Sequence, residues 1–286
     1  MESDVEKILK EYGLDAELNT LNQHFLIDKE LLKRMVDADY VCKEDVVLEI
    51  GPGLGTLTDL LANKARFVHS IELDKRFQPI LGKVAEKHSN LSIVFGNALK
   101  IEWPKFNKLV SAIPYNLAEP VLLKLMEQDK FDSCTLVVSK HFADLLTSDS
   151  DNRLSIIVPA FFKVILLEII LPSSFYPQPK VDSALIVIKP LEKDKLVAEP
   201  IKYLIRELFW RRDKKLKNAL REAMIAWTLK IKGKQLTKRG SREFIQYMKL
   251  EPEMAEKLID NLSGKDFRFL ENQLKSRIEG IYAYCK

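Results

Sequence analysis

From residue 46 to residue 188 short apolar runs alternate with stretches whose apolar positions recur every three or four residues. The runs are Val46–Ile50, Phe67–Leu73, Leu91–Phe95, Lys108–Ile113, Ser133–Ser139, Val164–Leu171 and Ala184–Ile188. Strand-sized runs separated by helix-sized segments predict an α/β fold, with a mainly parallel, doubly wound sheet covered on both faces. The last two runs lie too close together for a long crossover helix, which predicts an antiparallel edge. The most apolar stretch, Ile156 to Leu171, is interrupted by Pro159, Lys163 and Glu168. It reads as buried strands or a core helix, and no membrane span is expected. Beyond residue 200 the pattern turns helical, with Leu204, Ile205, Leu208, Leu216, Ala219, Leu220 and Ala223 at three- and four-residue spacing. Pro190 and Pro200 bracket a polar segment, which predicts a sheet domain over 1–190 and a small all-α domain over 191–286.

At 286 residues with 47% apolar and 30% charged side chains, the chain can build a sizeable core, which excludes wholesale disorder. The net charge of +4 is uninformative until it is divided. Residues 202–242 hold fourteen Lys and Arg against Glu207, Asp213 and Glu222, a local +11 that leaves −7 elsewhere. A basic helical block behind an acidic body, with Phe209 and Trp210 inside the block, predicts nucleic-acid docking. Arg211, Arg212, Lys214, Lys215 and Lys217 are the expected phosphate contacts. Three scattered cysteines without CxxC or zinc spacing suit a reducing cytosol and suggest no metal. The start, Met1-Glu2-Ser3-Asp4, is acidic where a signal peptide is basic, so a cytoplasmic, monomeric protein is expected.

The first run leads into Gly51-Pro52-Gly53-Leu54-Gly55 and then a helical stretch from Thr56. Glycines at such a turn let the backbone approach a ligand and adopt positive φ. The spacing is not a dinucleotide fingerprint, whose third glycine would fall at Thr56, nor a Walker loop. The next run ends at Ile71-Glu72-Leu73-Asp74, where a carboxylate can accept both ribose hydroxyls of a nucleoside held over the glycine turn. Glu72 is the better candidate and Asp74 the flanking alternative. The third run ends at Gly96-Asn97, which places Asn97 near the base of that nucleoside. The fourth ends at Ile113-Pro114-Tyr115: the proline can aim the Ile113 carbonyl into the cleft, and the tyrosine offers a flat face for stacking. An acceptor and a ring together suit methylation of an adenine amino group.

With these motifs the sequence resembles the rRNA adenine dimethyltransferases, in their archaeal form, which act on two adjacent adenosines near the 3′ end of small-subunit rRNA. The likeness runs through Gln23-His24-Phe25-Leu26, E-I-G-P-G-L-G at 49–55, I-E-L-D at 71–74 and G-N-A-L at 96–99. It continues through I-P-Y-N at 113–116, R-L-S at 153–155, F-Y-P-Q-P-K-V-D-S-A at 175–184 and the basic 209–220. The resemblance implies a class I, Rossmann-like methyltransferase sheet, S-adenosylmethionine as donor and a helical RNA-binding domain. It implies donor contacts at His24, Leu26, Gly51, Glu72, Asn97 and Ala112; the glycine turn adds Gly53 and Gly55 to these, and the turn at Ile113, Pro114 and Tyr115 is expected to hold the target base. The implied substrate is small-subunit rRNA or the immature subunit.

Three places depart from the family pattern. The usual Asn-Leu-Pro-Tyr/Phe turn reads Ala112-Ile113-Pro114-Tyr115, so the amide that accepts one adenine N–H is missing. The usual Gln-x-Glu-x-x-x-Arg reads Ser139-Lys140-His141-Phe142-Ala143-Asp144-Leu145, and the acid expected at 97 is Asn97. Strand alternation points Ser111 to the other face, so it does not replace the amide. The alternative to an active enzyme is therefore a degenerate relative that binds the small subunit as an assembly factor. A small-molecule methyltransferase is disfavoured by the basic block.

Overall fold

The computed structural model describes residues 4–14, 23–128, 130–192, 196, 198–232 and 236–285. Part of the polar 191–199 segment, and Lys234 of the basic block, lie outside these. The chain divides into two compact units, residues 1–144 with 164–189, and residues 145–163 with 190–286. The second unit thus takes in 145–163, where the sequence pattern suggested one division at 190/191.

Nine strands run in chain order: β1 (Phe25–Leu26), β2 (Val46–Ile50), β3 (Phe67–Glu72), β4 (Leu91–Phe95), β5 (Lys108–Ala112), β6 (Ser133–Ser139), β7 (Phe162–Ile170), β8 (Phe175–Tyr176) and β9 (Ser183–Pro190). Seven form one sheet in the order β4-β3-β2-β5-β6-β9-β7, while β1 and β8 make a separate antiparallel pair. Strands β4, β3, β2, β5 and β6 are parallel, and β9 returns antiparallel to β6. This is the mainly parallel α/β sheet expected from the alternation of runs and helices, and the class I methyltransferase architecture that the family resemblance implies. Central strand β2 is buried from Val47 onward, as a parallel strand covered on both faces must be.

The helix Lys29–Ala38 begins at Asp28, whose carboxylate caps the Glu30 and Leu31 amides at 3.0 Å. Leu31, Leu32, Met35 and Val36 then bury one face in a core shared with Leu57 and Leu61 of the helix Thr56–Lys64, and with Val47, Val68, Val110 and Val137 of the sheet. A second cluster joins Val5 and Leu9 of the helix Asp4–Glu11 to Leu54, Phe77 and Leu81. Strand β7 departs from expectation: Leu166, Leu167 and Ile169 are exposed, not buried. It is the terminal strand of the sheet, and its apolar run alone could not show which strand would be last.

The second unit is helical. Its main helices are Pro200–Phe209, Leu216–Lys232, Lys238–Tyr247 and Gly264–Arg277. Proline opens the first, Thr237 caps the third through the Gly240 amide, and Ser263 and Asp266 form a capping box on the fourth.

Candidate active site

The sheet order reverses at β2, with β3 on one side and β5 on the other. Ligands of doubly wound sheets bind at the carboxyl ends of strands at such a switch point. A pocket opens here, lined by the glycine turn after β2, Glu72 at the end of β3, and Ala112 through Tyr115 after β5. Phe25, Leu26 and Phe175 of the β1–β8 pair complete the lining; in that pair Phe25 faces Tyr176 and Leu26 faces Phe175. Two segments about 150 residues apart in sequence thereby meet beside the glycines.

Gly51 and Gly53 take φ of +73° and +53°, where a side chain would be strained. A Cβ on Gly53 would also approach the Phe25 ring to 3.0 Å. Glu72 is almost fully buried and accepts from the amides of Gly53 (3.0 Å) and Asp74 (2.8 Å), one on each carboxylate oxygen. Each oxygen keeps a lone pair, so the carboxylate is fixed and still able to accept hydroxyls. Burial raises its pKa above the usual carboxylate value, with those backbone bonds pulling the other way. Asp74, the flanking alternative, is engaged by the Arg76 side chain (2.6 Å) and Gln23 Nε2 (3.2 Å) and does not line the pocket.

His24 Nδ1 donates to the Pro177 carbonyl at 2.7 Å, and its ring lies against Tyr115 at a centroid distance of 6.2 Å. The Tyr115 hydroxyl shares a 2.6 Å hydrogen bond with Ser183, and burial raises its pKa. Ala112 half-faces the pocket and half-packs on the core. Ser111, buried on the opposite face, donates to the Ile50 carbonyl and ties β5 to β2. Pocket-lining positions therefore include His24, Leu26, Gly51, Gly53, Glu72, Ala112, Ile113, Pro114 and Tyr115.

Gly55 and Asn97 are not among them. Gly55 precedes the helix Thr56–Lys64 at φ +77°, and a Cβ there would meet Val84 at 2.8 Å, so it serves close packing. The Asn97 side-chain oxygen accepts from the Leu99 amide at 2.8 Å and shapes its own turn. Ser139 and His141 also lie outside the lining.

Two lining residues have roles that sequence reasoning did not assign. Gln23 lines the pocket; its Nε2 is spent on Asp74, while its Oε1 is buried without a partner among the described residues. Glu49, inside the glycine motif, is fully buried and accepts from the hydroxyls of Thr58 (2.8 Å) and Ser70 (2.7 Å). Desolvation pushes its pKa up to about 7, with the nearby Glu72 charge adding to the effect. Both residues stood within recognised motifs, but which atom each turned inward was not readable from spacing.

In the second unit the expected phosphate contacts carry local partners. Arg211 pairs with Glu207 and Glu222, Lys214 with Glu222, and Lys215 and Lys217 both with Glu256. The Arg212 guanidinium lies over the Phe209 ring. Among the described residues there is no cluster able to hold a metal ion, and no helix is long and apolar enough to cross a membrane.

Comparison with known proteins agrees with this geometry. The chain is 36% identical to the "Probable ribosomal RNA small subunit methyltransferase A" of Thermococcus sibiricus, over 96% of its own length and 98% of that protein's. It is 40% identical to the like-named protein of Pyrococcus abyssi over 76% of this chain and 80% of that one. Among solved structures, a dimethyladenosine transferase from Plasmodium falciparum superposes with a TM-score of 0.60 at 27% identity, covering 88% of this chain and 98% of that one. The family described as "Ribosomal RNA adenine dimethylase" matches residues 17–263, and the chain belongs to it.

Proposed function

We propose that this protein uses S-adenosylmethionine to dimethylate the amino groups of two adjacent adenosines near the 3′ end of small-subunit rRNA. The observation that carries this reading is the meeting, in one pocket, of the glycine turn, the fixed Glu72 carboxylate and the Pro114-Tyr115 turn.

The residues present fit the donor. Gly51 and Gly53 let the backbone come close, and the fixed Glu72 carboxylate offers acceptors to a ribose. When bound, S-adenosylmethionine supplies an electrophilic methyl group on a sulfonium centre. The chain's part is to orient the acceptor base: Tyr115, tethered by Ser183, gives a rigid stacking face, and the Ile113 carbonyl takes up one amino proton. That hydrogen bond turns the nitrogen lone pair toward the methyl group. With Ala112 in place of an amide, the second amino proton lacks its acceptor, at a cost of about 1–3 kcal/mol in the transition state. The rate falls correspondingly, roughly 5- to 150-fold, but the reaction survives. The basic second unit docks the substrate, an immature small subunit, and the protein works as a cytoplasmic monomer.

Transfer of radiolabelled methyl from S-adenosylmethionine to immature small subunits tests this directly. Dimethyladenosine is the expected product. Measurable donor binding with no incorporation overturns the enzymatic reading in favour of an assembly factor.

A further inference from the structure

Trp210 follows the helix Pro200–Phe209 and is 44% exposed, unusual for so large an apolar side chain. Its ring packs edge-on against Phe209, with centroids 5.5 Å apart at 80°, and against Phe161 at 6.0 Å and 67°. Those two rings are buried and meet each other T-shaped at 5.1 Å. The Arg206 guanidinium lies 4.9 Å over Phe161, and that of Arg212 lies 5.2 Å over Phe209. The half-exposed indole thus packs on two buried rings, each of which carries a guanidinium group.

The surrounding charges make this arrangement informative. Arg211, Lys214, Lys215 and Lys217 each sit on a carboxylate, so cationic density alone does not distinguish a binding face. An apolar protein partner would call for a wider apolar patch, whereas here the two rings that support the indole carry guanidinium groups. An indole beside arginines suits a flat π-system joined to phosphates.

We propose that Trp210, packed on the two rings that carry Arg206 and Arg212, is a stacking site for an unpaired base of RNA. The proposal rests on the RNA-docking part of the function above and adds a contact made to a base, not to the phosphate backbone. Packing against Phe161 and Phe209 orients the indole before binding, so little side-chain freedom is lost on stacking. Every base has a π-face, so the site is tolerant of sequence.

Intrinsic fluorescence of the full chain provides the test, because Trp103 and Trp227 are only 7% and 2% exposed. Single-stranded oligoadenylate is the probe, with an abasic oligomer of equal length as the backbone-only control. Oligoadenylate is expected to quench emission, and the abasic oligomer to bind more weakly without quenching. Trp210→Ala should weaken oligoadenylate binding roughly 5- to 150-fold, with any adenine-dependent binding that remains assigned to the Tyr115 pocket. Trp210→Phe should keep most of the affinity and lose the quenching, and thermal melts confirm that both variants fold. Unchanged affinity in a folded Trp210→Ala, or quenching that persists in Trp210→Phe, overturns the stacking site. If immature small subunits still bind with normal salt dependence in that case, RNA docking stands and only the stacking site falls. If neither oligomers nor subunits bind the parent protein, both readings fall together.

Discussion

Ala112 borders the pocket at the position where, in the proposed reaction, an amide acceptor for the second adenine N–H is missing. Ala112→Asn is expected to raise single-turnover methyl transfer roughly 5- to 150-fold. No gain would locate the deficit at the changed positions Ser139 and His141. Glu49 makes a different prediction, about stability. Its folded pKa, about 7, lies above the ordinary 4.5, so the folded state holds this proton more tightly than the unfolded state. The stabilising contribution is complete below about pH 4.5 and is lost as the pH rises through 7, a swing of about 3 kcal/mol. Glu72, also raised, adds a slope of the same sign. Glu49→Gln should therefore flatten ligand-free stability across this window and raise the melting temperature above pH 7, since the Thr58 and Ser70 hydroxyls can rotate to meet an amide. Denaturant titrations at several pH values check it, and an unchanged slope would assign the linkage elsewhere.

The regular elements were largely legible from the chain. Seven apolar runs became the seven strands of the main sheet, each within two residues of its expected limits; in the central strands burial on both faces imposes the continuous apolar sequence, whereas outer β7 is apolar yet partly exposed. The two-residue strands β1 and β8 were not foreseen as strands, since two residues carry no periodicity; only their motifs marked Leu26 and Phe175. Glycine roles were half legible. Gly51 and Gly53 line the pocket, but Gly55 supports a helix start, a distinction set by Val84 some thirty residues away. Gly55→Ala is expected to cost about 1–2 kcal/mol for the left-handed backbone and about 1–3 more for crowding against Val84. The loss should appear as a lower melting temperature with the helix Thr56–Lys64 destabilised. A melt within error of the parent would show that Val84 can move aside.

For the whole molecule, the uneven division of charge was readable from composition, but its local neutralisation was not. Glu256 comes from outside the basic block and reaches Lys215 and Lys217, which hold its carboxyl below the usual range. Such exposed pairs contribute little to stability and yield readily to competing phosphates. Glu256→Gln should therefore tighten binding to small subunits and steepen its salt dependence by roughly 0.9 per phosphate newly neutralised. An identical salt slope would show that these lysines face away from RNA. The β1–β8 pair carries a further consequence for biosynthesis. Phe25 leaves the ribosome early, and its partner Tyr176 only after some 150 more residues have been made. Until then the pocket lacks part of its lining, and the loop-closure entropy of so distant a contact makes it a late event in folding. Donor affinity, measured on stalled nascent chains of increasing length, should thus switch on abruptly once residue 176 clears the exit tunnel.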